Sequence, residues 1–243
     1  MMKDFISIDL ETTGLDPKTD KIIEIAAIRY RDGKETDSFH AYINPGVKVP
    51  ERITELTGIT AAQVEDSPSF GEIMPELLAF LQDDILMAHH IIFDYSFLKR
   101  AVVNHNGVTN KGTDTFEKKG IDTLKIARKY YANLESRSLP ALCKHFEIPL
   151  DAHRALADAK ATADLYFTMA NRILRERPEC EPDFTPETLK YKVKKEGPAT
   201  PAQKERLYKL IDKHKLEVDY AIESLTKNEA SRYMDTILAT YGR

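Results

Sequence analysis

Tryptophan is absent from this 243-residue chain, and cysteine occurs only at Cys143 and Cys180, with no Cys-x-x-Cys pair. So few cysteines argue against a disulfide framework and against a zinc–thiolate site. No uninterrupted apolar run approaches the roughly 18 residues of a membrane span, and the acid at Asp9 comes too early for a signal-peptide core. The sequence therefore predicts a soluble, cytoplasmic protein that has no membrane partner.

A strong excess of positive charge is missing too. The 35 lysines and arginines against 39 aspartates and glutamates give a net charge of −4, which argues against a protein that coats nucleic acid by bulk electrostatics. The balance is uneven, because residues 185–243 hold 12 basic and 9 acidic side chains and the remaining 184 residues hold 23 and 30. An acidic body can still bind an anion if it first binds divalent cations.

Hydrophobic periodicity predicts a mixed α/β first part. Period-two alternation predicts strands over residues 5–11, 21–30 and 35–43, the last two joined by a turn at Asp32-Gly33. Three strands with short turns indicate an antiparallel meander. The other predicted elements are a helix around 73–81, a buried strand at 84–88, a helix over 93–106, a surface loop over 104–120, short helices over 123–131 and 138–145, and a long helix whose apolar stripe runs from Leu156 to Ile173.

The composition changes near the end of the long helix. Five prolines fall between residues 178 and 201, around a lysine-rich run at 190–195, and this is typical of a linker. Beyond it, Thr226-x-x-Glu229 has the pattern of a capping box, which predicts the start of a helix. The predicted division is a main domain, a Pro/Lys-rich linker and a small helical accessory domain, at residues 1–177, 178–200 and 201–243.

Two acids stand two residues apart on the first predicted strand. Asp9 and Glu11 therefore point to the same face, with Cα atoms about 6.5–7 Å apart. Neighbouring carboxylates repel each other, and burial increases that repulsion. Divalent cations remove it, because hard cations prefer carboxylate oxygens as ligands. The pattern also has a simpler interpretation, a strand end that faces water, and by itself it does not decide between the two.

Three more candidate residues lie further along the chain. Asp94 follows the buried strand at 84–88, where ligands gather in α/β folds, although an aspartate there could equally cap the next helix. Asp158 lies beside the apolar stripe of the long helix, where an acid is costly unless it is paired or bound to metal. His153 is either a proton acceptor suited to neutral pH or a surface or helix-cap histidine.

Together these residues give four carboxylates and an imidazole in the order Asp-x-Glu, Asp, His-x4-Asp. Two divalent ions about 3.5–4 Å apart need several bridging carboxylates and can grip a phosphodiester. One ion lowers the pKa of an attacking water, and the other stabilises the leaving 3′-oxygen. The imidazole can take the proton from that water.

At these residues the sequence resembles the DEDDh (DnaQ-like) 3′–5′ exonuclease family, to which the epsilon proofreading subunit of bacterial DNA polymerase III belongs. The resemblance covers residues 4–174 and implies a ribonuclease H-like fold, a mixed five-stranded sheet flanked by helices. It implies two Mg²⁺ or Mn²⁺ ions held by the four acids, and His153 as general base. The three segments that carry it are Asp9-Leu10-Glu11-Thr12-Thr13-Gly14-Leu15, Ala88-His89-His90-Ile91-Ile92-Phe93-Asp94 and His153-Arg154-Ala155-Leu156-Ala157-Asp158-Ala159.

The same resemblance implies contacts with the terminal nucleotide. The backbone N–H groups of Thr12 and Thr13 would bond to the 3′-hydroxyl region, and Leu15 would wedge against the last base. The chain departs from the family at His90, where asparagine is usual, and this difference in donor and acceptor geometry puts the fine positioning of the substrate in question. The residues implied to bind substrate are Thr12, Thr13, Gly14, Leu15, His89 and Phe93.

These features predict hydrolysis of single-stranded DNA 3′ ends to nucleoside 5′-monophosphates, in proofreading or in DNA repair and processing. An exoribonuclease of the same fold stays open, because nothing in the motifs decides how a 2′-hydroxyl is read. A third hypothesis is a non-catalytic module that binds a replication partner. The helical region at 201–243 is the candidate surface for a polymerase or another replication protein.

Overall fold

The computed structural model describes residues 1–109, 116–152, 154–194, 196–218 and 220–242. Six strands occur within this part of the chain: β1 (Phe5–Thr12), β2 (Ile22–Arg31), β3 (Lys34–Tyr42), β4 (Leu86–Ala88), β5 (Lys119–Asp122) and β6 (Glu187–Thr188). They form one sheet in the order β3-β2-β1-β4-β5-β6.

The pairing of the strands makes this sheet a mixed one. Strands β1, β2 and β3 pair antiparallel, as the predicted meander requires. Strand β1 pairs parallel with β4, and β4 pairs parallel with β5, whereas β6 runs antiparallel to β5. The predicted fold class is confirmed, with one difference: the two-residue strand β6 makes a sixth strand.

Helices flank the sheet. Nine α-helices occur in the described ranges: α1 (Glu51–Thr57), α2 (Ala61–Glu65), α3 (Phe70–Leu81), α4 (Ile91–Thr109), α5 (Thr123–Tyr130), α6 (Leu139–Phe146), α7 (Ala155–Glu176), α8 (Pro201–His214) and α9 (Lys227–Tyr241). None of the helices in these ranges combines the length and the apolarity that crossing a bilayer requires.

Helix α7 covers one face of the sheet, and aromatic rings fix its position. Phe5 on β1 stacks on Tyr30 of β2 at a ring distance of 5.0 Å and meets the edge of Tyr166 of α7 at 5.7 Å. All three rings are buried. On the other face of β2, Ile23 packs with Val49 and with residues of the α1–α2 region in a smaller core.

The first compact unit comprises residues 1–45, 49–98 and 117–191. It includes residues 178–191, which the sequence assigns to a linker. There the chain forms a 3₁₀ helix at Pro178–Phe184 and then β6, with Phe184 and Leu189 buried. These apolar side chains pack into the first unit. Gly120 of β5 makes room for Leu189, since a Cβ there would lie 2.9 Å from its Cδ1.

The second compact unit comprises residues 46–48, 99–116 and 192–243. Helices α8 and α9 pack against each other here, and both begin with a capping box, at Thr200–Gln203 and at Thr226–Glu229. The buried side chains of this unit include Leu207, Leu225 and Ala230. The division of the chain into a main domain, a linker and an accessory domain stays a prediction.

Candidate active site

The site is built on the end of β1, beneath the first turn of α7. Because side chains alternate along a strand, Ser7, Asp9 and Glu11 all point to the face that α7 covers. The Ser7 hydroxyl donates to the backbone oxygen of Ala159 at 2.6 Å. This buried hydrogen bond fixes the start of α7 over β1, and Asp158 therefore comes to lie beside the two strand acids.

Three of the four predicted metal ligands meet directly. Asp9, Glu11 and Asp158 each offer a carboxylate oxygen, and these oxygens lie within 4.8 Å of one another. Asp158 is buried, and the two strand acids are half-buried. The simpler interpretation of Asp9 and Glu11, a strand end facing open water, does not describe this arrangement.

Asp94 approaches the same strand from α4. That helix begins at Ile91, three residues before Asp94, so Asp94 lies in the first turn and is not the residue that caps the helix. Its carboxylate accepts a hydrogen bond from the backbone N–H of Leu10 at 3.2 Å, and the side chain is buried. Asp94 therefore contacts β1 at Leu10, the residue between Asp9 and Glu11, and lies outside the tight group of three carboxylates.

Burial and mutual repulsion raise the pKa values of these acids. Burial first, and then the charges of Asp94, Asp158 and Glu11, raise the pKa of Asp9 well above its ordinary value. Burial, Asp158 and Glu24 raise the pKa of Glu11 to about 7. Burial also raises the pKa of Asp94, although its hydrogen bond with Leu10 acts in the opposite direction. A divalent cation would relieve this repulsion, and a set of carboxylate oxygens fits Mg²⁺ or Mn²⁺.

The predicted general base, His153, lies outside the described residues. Its neighbour Arg154 is the residue before α7, and its backbone oxygen accepts the N–H of Asp158 at 2.9 Å. The role of His153 stays a prediction.

The loop after β1 corrects one predicted contact. The Thr13 N–H already donates to the backbone oxygen of Lys21 at 2.8 Å, and the Lys21 N–H donates to the Thr13 hydroxyl at 2.9 Å. This N–H is therefore not the free donor to a 3′ end that the resemblance implies. The Thr12 hydroxyl donates to the Gly14 oxygen at 2.6 Å. Leu15 is 83% exposed, so its side chain can reach a ligand, and its role as a wedge stays a prediction.

Gly14 is needed in this loop for a different reason. A Cβ at Gly14 would lie 2.5 Å from a carboxylate oxygen of Asp20. That carboxylate accepts the backbone N–H of Asp16 at 2.8 Å and so closes the loop. The absence of a side chain at Gly14 lets the loop fold tightly beside Glu11.

The second motif positions the start of α4. Both ring nitrogens of His89 are engaged, at 2.9 Å with the Thr123 hydroxyl and at 2.9 Å with the Arg137 backbone oxygen. His89 therefore joins the end of β4 to α5, and only its ring face is left for a substrate. Phe93 is half-buried and packs on Phe97 at a ring distance of 5.0 Å. Their predicted contacts with substrate stay predictions.

Sequence reasoning missed one buried acid beside the site. Glu24 on β2 lies opposite Glu11 in the strand register, and only 3% of it is exposed. A signal was present, because a lone charge interrupts the apolar run Ile22-Ile23-Glu24-Ile25.

Comparison with known proteins defines the class of protein to which this fold and site belong. The exonuclease family RNase_T matches residues 6–166, which is most of the chain. The chain therefore belongs to this exonuclease family, and its predicted membership of the DEDDh branch, related to DNA polymerase III epsilon, is confirmed.

Particular relatives cover the chain to different extents. The DNA polymerase III subunit epsilon of Aquifex aeolicus is 34% identical over 170 residues, which are 70% of this chain and 81% of that protein. The PolC-type DNA polymerase III of Clostridium perfringens is 37% identical over 163 residues, 67% of this chain, but the chain spans only 11% of its length. The structure of Exonuclease X in complex with 5′ overhanging duplex DNA has a TM-score of 0.55 and 25% identity, covering 69% of this chain and 92% of that one.

Proposed function

We propose that this protein is a two-metal-dependent 3′–5′ exonuclease that removes nucleoside 5′-monophosphates from single-stranded DNA. The observation that carries the proposal is the convergence of Asp9, Glu11 and Asp158 within 4.8 Å, with Asp94 against the same strand. Buried, mutually repelling carboxylates destabilise a fold unless they serve a ligand. Divalent cations are the ligands that suit this set of oxygens.

Asp9, Glu11, Asp94 and Asp158 would hold two Mg²⁺ or Mn²⁺ ions. When bound, such ions lower the pKa of an attacking water and stabilise the negative charge that develops during phosphodiester cleavage. The protein supplies a fixed geometry for this, because β1 and the first turn of α7 are joined by the Ser7–Ala159 hydrogen bond. Preorganised charge of this kind needs no rearrangement at the moment of reaction.

The other predicted residues have roles in proton transfer and in binding the strand. His153 would accept the proton of the attacking water, since an imidazole titrates near neutral pH. Leu15, which is largely exposed, would pack against the terminal base. Such a contact recognises a strand end without reading sequence, because every base offers an apolar face.

DNA is the substrate that the relatives favour. The relatives include a DNA polymerase III subunit epsilon and a PolC-type DNA polymerase III, and Exonuclease X was solved with 5′ overhanging duplex DNA. We therefore infer a task in proofreading or in DNA repair. Residues 201–243 are the proposed surface for a polymerase or another replication protein.

A labelled-oligonucleotide assay tests the proposal. With Mg²⁺ or Mn²⁺, a single-stranded DNA labelled at its 5′ end should shorten stepwise, and one labelled at its 3′ end should release a labelled mononucleotide at once. Chelator or Asp9→Asn should stop both reactions. A matched RNA oligonucleotide should react more slowly. Release that continues in the chelator would refute the metal mechanism, and faster RNA cleavage would make the protein an exoribonuclease.

A further inference from the structure

Glu24 is a buried carboxylate that the proposed reaction leaves unused. It lies in the middle of the apolar run of β2, and its side chain is 4% exposed. A buried charge is costly unless it is paired and hydrogen-bonded. A carboxylate buried in an apolar strand therefore has either a structural role or a functional one.

The strand register places Glu24 next to the cation site. Glu11 of β1 is opposite Glu24 of β2, and Glu24 is opposite Tyr42 of β3. Residues opposite one another point to the same face of a sheet, so these side chains form one row that runs from the site to the edge strand. Burial is the main cause of the raised pKa values of Glu11 and Asp9, and the charge of Glu24 adds to both, which agrees with this proximity.

Two side chains of β3 hold the Glu24 carboxylate in place. His40 Nε2 lies 2.7 Å from Glu24 Oε1, so the tautomer with a proton on Nε2 donates to the carboxylate. The Tyr42 hydroxyl also hydrogen-bonds to Glu24; burial first, and then the charge of Glu24 and this bond, raise the pKa of Tyr42. These contacts orient the Glu24 carboxylate, whose negative charge adds to the field at Asp9 and Glu11.

We propose that Glu24 is a positioning residue of the cation site, whose charge, fixed by His40 and Tyr42, strengthens the binding of divalent cations at Asp9, Glu11 and Asp158. This inference rests on the proposed function. The physical basis is that groups behind the ligands of a metal orient them and tune their affinity, typically by 10–100-fold. Glu24 touches neither the substrate nor the reacting atoms in this proposal.

Binding of Mn²⁺ measured by electron paramagnetic resonance tests the inference without relying on activity. At pH 8.5, Glu24→Gln keeps the size and the acceptor of the side chain but removes its charge, and it should weaken Mn²⁺ binding about 10-fold. Turnover at saturating Mn²⁺ should stay close to that of the wild type. A loss confined to turnover, with unchanged Mn²⁺ affinity, would overturn the inference.

Glu196→Gln is the matched control. Glu196 is also a buried glutamate, and its carboxylate pairs with Arg100 at 2.8 Å, but it belongs to the second compact unit. The same chemical change there should leave Mn²⁺ affinity unchanged. If Glu196→Gln weakens binding as much as Glu24→Gln does, the effect is not specific to the row beside Glu11 and the inference is wrong.

Two further variants keep the test decisive if Glu24→Gln fails to fold. Tyr42→Phe and His40→Gln retain every carboxylate and remove one support of Glu24 each, so each should weaken Mn²⁺ binding by a smaller factor. Wild-type affinity in both would overturn the inference. A wild-type protein that binds no Mn²⁺ would overturn the proposed function together with it, whereas tight binding by the wild type and all variants would overturn the inference alone.

Discussion

The two ends of β1, on the face that α7 covers, contribute different things: aromatic packing at one end and a cluster of acids at the other. At the start of β1, Phe5 stacks on Tyr30 and contacts Tyr166 in the centre of the core. At the end of the same face, Asp9 and Glu11 meet Asp158 within 4.8 Å. Helix α7 covers both ends, so the apolar contacts at one end hold the helix in place while its first turn brings an acid close to two others.

This difference separates stability from function along a single strand. Burial of the aromatic rings favours folding, whereas burial of like charges opposes it. The Ser7–Ala159 hydrogen bond lies between the two ends and transmits the position of the helix to the acids. Substitutions at the aromatic end should therefore lower stability and spare activity, whereas substitutions at the acidic end should lower activity and spare stability.

The largest effect is expected from Asp158→Asn. It removes a negative charge from the proposed cation site, so the exonuclease rate should fall by at least about 10²–10³-fold. In chelator the same variant should be at least as stable as the wild type, because one repelling charge is gone. Oligonucleotide degradation and urea unfolding measure the two quantities.

Asp164→Asn is the control for that change. Asp164 is half-buried on the same helix, and its neighbours include Lys160 and Glu35. Its substitution should leave the rate unchanged. Equal loss of activity in both variants would show that any change of charge on α7 impairs the enzyme, and the distinction between the two ends of the face would fail.

Phe5→Ala tests the stabilising end. Truncation of a fully buried aromatic ring should lower the free energy of unfolding by about 3–5 kcal/mol. The rate per folded molecule, measured well below the unfolding temperature, should stay near that of the wild type because the acids are unaltered. Circular dichroism in urea gives the stability, and activity at low temperature gives the rate. Activity lost without loss of stability would contradict this assignment of roles.

The pH dependence of stability tests the destabilising end. The Glu11 pKa is about 7 in the folded protein, above its ordinary value of 4.5, so between these values the folded state binds more protons than the unfolded one. Stability in chelator should therefore fall as pH rises from about 4.5 to 7, by up to about 3 kcal/mol from this group. The raised pKa values of Asp9 and Asp94 act in the same direction.

Two measurements isolate that contribution. Glu11→Gln should flatten part of the pH profile of urea unfolding, because the titrating group is gone. Mn²⁺ at saturating concentration should raise stability most at high pH, where all the acids are ionised and the cation competes with few protons. A profile in chelator that rises from pH 5 to 7 would mean that the acids do not repel one another in the folded state.

The sequence predicted the site better than it predicted the sheet. Asp9, Glu11 and Asp158 could be found because an acid inside an apolar pattern is costly unless it is paired or binds a cation. Strand β5, at Lys119–Asp122, begins at the end of the loop predicted over 104–120; it was missed because a four-residue parallel strand is too short to show a period. Glu24 was missed because a single charge on a central strand reveals its purpose only when the strand register places it opposite Glu11.

The effect of histidine at position 90 could not be predicted from the sequence, because it depends on the backbone conformation there. The structure holds it at φ +79°, a left-handed conformation that asparagine and histidine tolerate better than most residues. Its N–H donates to an Asp122 carboxylate oxygen at 3.1 Å and thereby joins the ends of β4 and β5. Histidine in place of the family's asparagine therefore preserves the turn. Backbone strain at His90 adds to charge repulsion as a source of destabilisation at the acidic end of β1.

The smallest expected effect comes from substitutions at His90, which test whether the backbone there is strained. His90→Asn should raise the free energy of unfolding by a few tenths of a kcal/mol, and His90→Ala should lower it by about 1 kcal/mol, since alanine is disfavoured in this conformation. Glu147, which ends α6 at φ +58°, is the matched position for the same two substitutions. If the alanine and asparagine variants have equal free energies of unfolding at position 90 but different ones at position 147, the backbone at His90 is not strained. Charge repulsion among the acids would then be the only destabilising contribution at the acidic end of β1.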